Sequence, residues 1–290
     1  MFQRIGIIAK HADAPVRAAL AATLAVLKAR ECDVVVDENC APATDDPSVR
    51  TAPESEVAVD RDLVIAIGGD GTLLRAGKLS FPGNASVLGI NLGRLGFLTD
   101  LNPEQVPQAL GPILDGNYTS EERCVLRAEI IRDGNVIGRN HGLNDVVIQK
   151  WNTARLIAFE TYVDGRFVLS QRSDGMIVST PTGSTAYSLS GGGPILHPQL
   201  RALVLVPIRP HSLTNRPIVL ADTATIELSI AAEYADETRV TCDGEPMSQI
   251  VAGDNIKITR HQQTVHLIHP AGHDHFANLR AKLHWGQVPC

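Results

Sequence analysis

The sequence predicts an α/β + β protein: an N-terminal Rossmann-like α/β domain followed by a C-terminal β-rich, sandwich-like domain. Two observations lead there. Over residues 4–91, short runs rich in β-branched residues alternate with helical stretches, the pattern of a parallel sheet covered by helices. Beyond residue 100, alternating runs are broken by Asp133-Gly134 and Asp164-Gly165, pairs that mark β-hairpins. A chain of 290 residues is long enough for two cores. The expected division is 1–100 for the α/β domain, 101–270 for the β-rich domain and 271–290 for a C-terminal helix packing back on the first domain.

Residues 4–9 read as the first strand. Asp13-Ala14-Pro15 opens an alanine-rich helix reaching about Ala29, with proline in the first turn, where it is tolerated. Residues 33–36 are the second strand. Residues 38–57, rich in Asp, Pro, Ala, Ser and Thr, read as a polar excursion or mobile loop. Residues 62–67 form the third strand, and 72–79 a helix with Thr72 as its N-cap. Residues 86–91 are the fourth strand, ending in the glycine-rich turn Leu92-Gly93-Arg94-Leu95-Gly96-Phe97-Leu98. Residues 103–114 read as a short helix. β-type runs follow at 125–132, 156–163, 203–208, 218–229, 238–242 and 256–268, and 276–283 returns to helical spacing.

Composition narrows the function. A formal net charge of −6 argues against a general nucleic-acid binder. No apolar stretch is long enough for a membrane span, and the opening Met1-Phe2-Gln3-Arg4 runs into a strand pattern rather than a signal peptide. The five cysteines (Cys32, Cys40, Cys124, Cys242, Cys290) are scattered and contain no C-x-x-C, so they read as free thiols in a reducing cytoplasm. Histidines 261, 266, 269, 273 and 275 fit no common zinc spacing and read as strand and loop residues. No protein metal ligand is assigned.

The stretch Gly68-Gly69-Asp70-Gly71-Thr72 carries the chemistry. Glycines at a strand-to-helix turn bring backbone N–H groups close to a ligand, and a helix N-terminus favours anions. The run is neither G-x-x-x-x-G-K-[ST] nor G-x-G-x-x-G, because position 74 is Leu. A carboxylate in a phosphate-cradling loop repels phosphate unless it has a task. Asp70 can hold a metal ion or take a proton from a hydroxyl that attacks phosphorus. A second stretch, 174–190, runs from a short apolar strand into a segment dense in hydroxyls, with one Tyr. Such a surface can lie against a base and donate to sugar or phosphate oxygens.

The GGDGT turn resembles that of NAD kinases, diacylglycerol kinases and phosphofructokinases. The turn, residues 91–100, Leu143-Asn144-Asp145-Val146-Val147 and the block from Asp174 to Tyr187 follow the order and spacing of bacterial NAD kinases. Cys242-Asp243-Gly244-Glu245 and Leu267-Ile268-His269-Pro270 continue the likeness, which spans about residues 4–285. This resemblance implies ATP- and metal-dependent phosphorylation of the adenosine ribose 2′-hydroxyl of NAD, with Mg²⁺ or another divalent cation accompanying the ATP. It puts the proton acceptor on Asp70, phosphate contacts on Gly68, Gly69 and Thr72, and the adenosine against Gly71 and Phe97. It assigns the ribose hydroxyls to Asn144 and Asp145, basic contacts to Arg155 and Arg172, and the nicotinamide and adenine ends to Asp174, Thr185, Ala186, Tyr187, Ser188, Leu189 and Ser190. It also implies a homodimer or homotetramer, with no nucleic-acid or membrane partner. Glu245 departs from the family, which often has Gln there. The rival readings are a lipid or sugar kinase sharing GGDGT, and a non-catalytic dinucleotide sensor with no need for Asp70.

Overall fold

The structure is a computed structural model that describes residues 2–44, 46–93 and 96–285. The chain runs β1 (Arg4–Ala9), α1 (Ala14–Ala29), β2 (Asp33–Asp37), β3 (Arg50–Ala52), β4 (Leu63–Gly68), α2 (Asp70–Ser80), β5 (Ser86–Asn91), α3 (Val106–Leu114) and β6 (Tyr118–Arg123). It continues β7 (Leu126–Arg132), β8 (Asn135–Gly142), β9 (Asp145–Lys150), β10 (Ile157–Val163), β11 (Arg166–Ser173), β12 (Gly175–Ser179) and α4 (Tyr187–Ser190). Then come β13 (Ala202–Ile208), β14 (Ile218–Ala221), β15 (Ile226–Ile230), β16 (Thr238–Cys242), β17 (Glu245–Pro246), β18 (Asn255–Arg260), β19 (Val265–Pro270) and α5 (His275–Leu283). These elements form two units: Met1–Glu122 with Val265–Cys290, and Arg123–Thr264.

The first unit holds a seven-stranded sheet in the order β3-β2-β1-β4-β5-β19-β6. Its first six strands pair in parallel. β4 is buried at all six positions, as a strand covered on both faces must be. Ile5, Ile7, Leu63, Ile65 and Leu88 from the strands pack with Leu20 and Leu27 of α1 and Leu110 of α3. Asp13 caps α1 by accepting from the Val16 N–H at 3.0 Å.

The second unit contains two six-stranded sheets, β11-β10-β15-β18-β7-β8 and β14-β13-β12-β9-β16-β17. The pairings within them are antiparallel. One core draws Leu126, Phe159, Leu228 and Ile256 from the first sheet and Val146, Ile148, Met176 and Leu205 from the second. That is a β-sandwich. Val147, Ile177, Val204 and Val206 bury the second sheet's other face around Leu196, so β12 has no exposed position. The hairpin pairs Asp133-Gly134 and Asp164-Gly165 take positive φ at both residues, as does Asp243-Gly244.

Several expectations need correction. The boundary expected at residue 100 falls at 122, because α3 packs on α1 and β6 joins the parallel sheet. The second boundary falls at 264 rather than 270. The run 256–268 is two strands, β18 in the sandwich and β19 in the first unit. The run 218–229 is likewise β14 and β15, in different sheets, broken at the buried Asp222. The segment 38–57 is not simply a loop. β3 pairs with β2, and Cys40, Ala43 and Val57 are buried. Gly69 rather than Thr72 caps α2, whose first residue is Asp70. α5 returns to the first unit, while Arg94, Leu95 and residues 286–290, Cys290 included, lie outside the described residues. Among the described residues no helix is long and apolar enough to cross a membrane, and the other four cysteines are free. Burial raises the Cys40 and Cys124 thiols to about 11.

Candidate functional site

Two groups of site residues form, one in each unit. In the first, β4 ends at Gly68 and α2 begins two residues later, so Asp70 stands in the first helical turn, where a carboxylate is favoured. Its Oδ2 accepts from the Phe97 N–H at 2.9 Å and its Oδ1 from the Leu98 N–H at 3.2 Å. The second glycine turn is therefore a clamp for this carboxylate. A Cβ at Gly96 would lie 1.9 Å from Asp70 Oδ1, so only glycine allows the approach. Gly96→Ala is expected to displace the carboxylate and lower the turnover number about 10²-fold, measured as steady-state kcat with the fold checked by circular dichroism.

The other glycines of the loop differ. A Cβ at Gly68 would strike Thr72 Oγ1 at 2.3 Å, whereas one at Gly69 or Gly71 would meet nothing within 4 Å. Internal packing does not require glycine at these two exposed positions, and the backbone there lies open to a ligand. Phe97 is half-buried, with Lys282 Nζ 5.6 Å from its ring centroid.

In the second unit, Asn144 and Asp145 stand at the start of β9. The carboxylate of Asp243, in the turn after β16, accepts from the N–H groups of Leu143 (2.8 Å), Asn144 (2.8 Å) and Asp145 (3.1 Å). Burial, and then the Asp243 charge, raise the Asp145 carboxyl from 3.8 to about 7. Asn144 Oδ1 is buried without a hydrogen-bond partner among the described residues. A Cβ at Gly183 would come 2.1 Å from the Asn144 carbonyl oxygen, so the 180–183 turn presses on the Asn144 backbone.

The hydroxyl-rich block turns out to be largely self-satisfied. Thr180 Oγ1 donates to Leu143 O at 2.6 Å, Ser184 Oγ to Pro181 O at 2.6 Å, and Thr185 Oγ1 to Thr182 O at 3.3 Å. These hydroxyls fold the turn onto Asn144 rather than form an open donor surface. Tyr187 and Ser190 are exposed, Thr185, Ala186 and Leu189 half-buried, and Ser188 buried. Asp174, Arg155 and Arg172 stand apart. Ser179 pairs with Asp145, but Asp174 precedes the other end of β12, paired to Lys150 at 2.7 Å. Arg155 lies in the loop beyond Lys150, and Arg172 on β11 reaches the Tyr234 hydroxyl at 3.3 Å.

One set of side chains among the described residues has metal-ligand spacing: Asp100, His269 and His273. The two rings are stacked, with centroids 4.0 Å apart and planes 20° apart. Near-parallel imidazoles cannot both aim in-plane lone pairs at one ion about 2.0–2.1 Å away. Both Asp100 oxygens also accept hydrogen bonds, from His269 Nδ1 on one side and from His273 Nδ1 (3.2 Å) and Asn278 Nδ2 (3.1 Å) on the other. The set is a hydrogen-bonded cluster.

Comparison with known proteins identifies the arrangement. Residues 5–118 match the family described as ATP-NAD kinase N-terminal domain, and residues 143–270 the ATP-NAD kinase C-terminal domain. The chain belongs to the NAD kinase family. It is a phosphotransferase that makes NADP from NAD with ATP. The NAD kinase of Chromohalobacter salexigens is 44% identical, over 98% of this chain and 97% of that protein. The NAD kinase of Teredinibacter turnerae is 42% identical, with the same coverage. A solved yeast NADH kinase in complex with NADH has a TM-score of 0.90 and 26% identity, over 99% of this chain and 89% of that one. An Archaeoglobus fulgidus NAD kinase in complex with ATP has a TM-score of 0.75 and 26% identity, over 97% and 99%.

Asp243, Asp100 and the Gly96 clamp were not singled out from sequence. Asp243 sits in a quoted motif, but its partners are nearly a hundred residues away, and the Asp100–His269 pair is separated by 169 residues.

Proposed function

We propose that this protein transfers the terminal phosphoryl group of ATP to the 2′-hydroxyl of the adenosine ribose of NAD, with Asp70 as general base. The observation that carries this reading is the Asp70 carboxylate clamped by the Phe97 and Leu98 N–H groups at a helix N-terminus. A carboxylate held by two donors keeps lone pairs for a hydroxyl proton. The exposed Gly69 and Gly71 backbone at the start of α2 offers its N–H groups to phosphate oxygens, backed by the buried Gly68 and by Thr72, whose own N–H is donated to the Gly69 carbonyl at 3.0 Å. Gly71 and Phe97 receive the adenosine.

In the second unit, Asn144 Oδ1 and the Asp145 carboxyl accept the ribose hydroxyls, which suits a buried acceptor that has no protein donor. Tyr187 offers an exposed ring for stacking, flanked by Thr185, Ala186, Leu189 and Ser190, with Ser188 supporting the turn from within. Arg155, Arg172 and Asp174 are assigned to the dinucleotide by resemblance alone. A divalent ion such as Mg²⁺, carried on the triphosphate, would screen its charge. A loop of N–H donors with one carboxylate fits an ion bound mainly through phosphates. Occurrence in the cytoplasm is part of the same reading, consistent with the free thiols. So is a homodimer or homotetramer, for which edge strand β11 exposes Phe167 and Val168.

The test is NADP formation from NAD and Mg-ATP, with NAD affinity measured alongside. NAD binding without turnover would overturn the reading. The raised Asp145 carboxyl adds a pH signature. Below about 7 it is protonated; above, it is a pure acceptor for two hydroxyls. KM for NAD is therefore expected to fall up to about 10-fold between pH 6 and 8, and Asp145→Asn to flatten that profile. The same ionisation costs stability: a carboxyl raised on folding stabilises fully below 3.8 and loses that contribution as pH rises through about 7.

A further inference from the structure

The segment that clamps Asp70 is itself fastened from the far end of the chain. Phe97 and Leu98 donate to Asp70, Thr99 is fully buried, and Asp100 follows. The Asp100 carboxylate is gripped by His269 at the end of β19, by His273 in the turn after it, and by Asn278 of α5. His269 is 1% exposed, and its Nε2 faces Glu121 Oε2 of β6 at 3.6 Å. One residue on, the Leu101 carbonyl accepts from the Asn91 N–H at 2.7 Å. Residues 96–101 thus form a short bridge. One end carries the donors to Asp70, and the other is tied to three side chains that have no other role in the site.

We propose that Asp100, His269 and His273 are positioning residues for the reaction, acting through this segment to hold the Asp70 carboxylate against its two N–H donors. The inference rests on Asp70 as the base. The ring charge suits the task. Burial works against a charged His269, but Asp100 and Glu121 outweigh it and raise its pKa above 6.5. Burial likewise opposes ionisation of Asp100, but the two histidines outweigh it and hold the carboxyl well below 3.8. The groups facing His269 are Asp100 from the segment, Glu121 from β6 and the stacked His273. The His269 contribution is complete below pH 6.5 and is lost as pH rises through its elevated value. The Asp100 contribution is complete above pH 3.8 and is lost on acidification.

The experiment compares His269→Gln with His269→Asn in the full chain. Asn places an amide N–H near the position of Nδ1 and keeps the bond to Asp100. Gln reaches toward Glu121 and drops that bond. His269→Gln is expected to lower kcat about 10- to 100-fold with KM for NAD within about 2-fold, whereas His269→Asn keeps most of the rate but lacks the alkaline fall of kcat expected of the native chain. Combined with Asp70→Asn, the His269→Gln loss should vanish, because the partner it positions is gone. Equal losses in Gln and Asn, a loss confined to KM, or an undiminished loss in the Asp70→Asn background would each overturn the proposal. If His269→Gln does not fold, His273→Gln removes only the 3.2 Å donor and carries the same cycle. The Asp70→Asn single variant separates the two ideas. Full activity there defeats the base reading, while lost activity there with unchanged kcat in His269→Gln defeats the positioning inference alone.

Discussion

Asp70→Asn is expected to lower NADP formation by about 10²–10⁴-fold at saturating NAD and Mg-ATP. The side chain keeps its size and place at the start of α2, so the helix and the loop glycines are undisturbed. What disappears is basicity. The amide oxygen still accepts from one of the Phe97 and Leu98 N–H groups, while the amide nitrogen faces the other donor and loosens the clamp. NAD affinity should change only a few-fold, because the ribose-holding groups assigned above lie in the second unit. Initial rates together with calorimetric NAD binding check this. A variant that retains nearly full rate would remove Asp70 as the base.

Asp243→Ala is expected to have the largest effect on binding and stability. One carboxylate satisfies three successive backbone N–H groups at the mouth of β9, and its own N–H donates to the Asp145 carbonyl at 3.1 Å. Removing it leaves those donors unmatched in a part-buried turn, a loss of about 2–4 kcal/mol in unfolding free energy. Asn144 and Asp145 then lose their fixed orientation, and KM for NAD should rise on the order of 10²-fold. Asp243→Asn makes a gentler comparison. It keeps an acceptor but removes the charge, so the Asp145 carboxyl should drop below about 7. Chemical denaturation and the pH profile of KM read out both parts.

The legibility of this chain follows from the range of the interactions involved. β1, β5 and β16 stood out because each is a local run of β-branched and apolar residues with clear stops. The Asp-Gly hairpins were equally local. Runs that continued in sequence but parted in space were not legible. Residues 218–229 hide a crossing between sheets at Asp222, a buried carboxylate whose partners Arg201 and Arg260 are remote. Residues 256–268 hide a passage between the two units, because apolar pattern does not say which core receives a strand. Thr72 has the side chain of a cap for α2, but the backbone turns into the helix already at Gly69. In the candidate site, Asp70 was legible from the cost of a carboxylate among phosphate donors. Its clamp was not, since a backbone N–H carries no residue signature. The hydroxyls of 179–185 read as ligand donors by composition, yet Thr180 and Ser184 spend them on the turn.

The chain enters the sandwich at Arg123 and returns to the parallel sheet at Val265, and this has a consequence during biosynthesis. The segment bearing Asp100 leaves the ribosome long before its anchors. At about 5–20 residues per second, the 169 residues from Asp100 to His269 take on the order of 10 seconds to translate. Throughout that interval the nascent first unit lacks β19, α5 and the histidines that grip Asp100. The GGDGT loop therefore exists on the ribosome before the Asp100 cluster can form. Translation itself sets the order: the sandwich can close first, and the Asp100 cluster forms at the end.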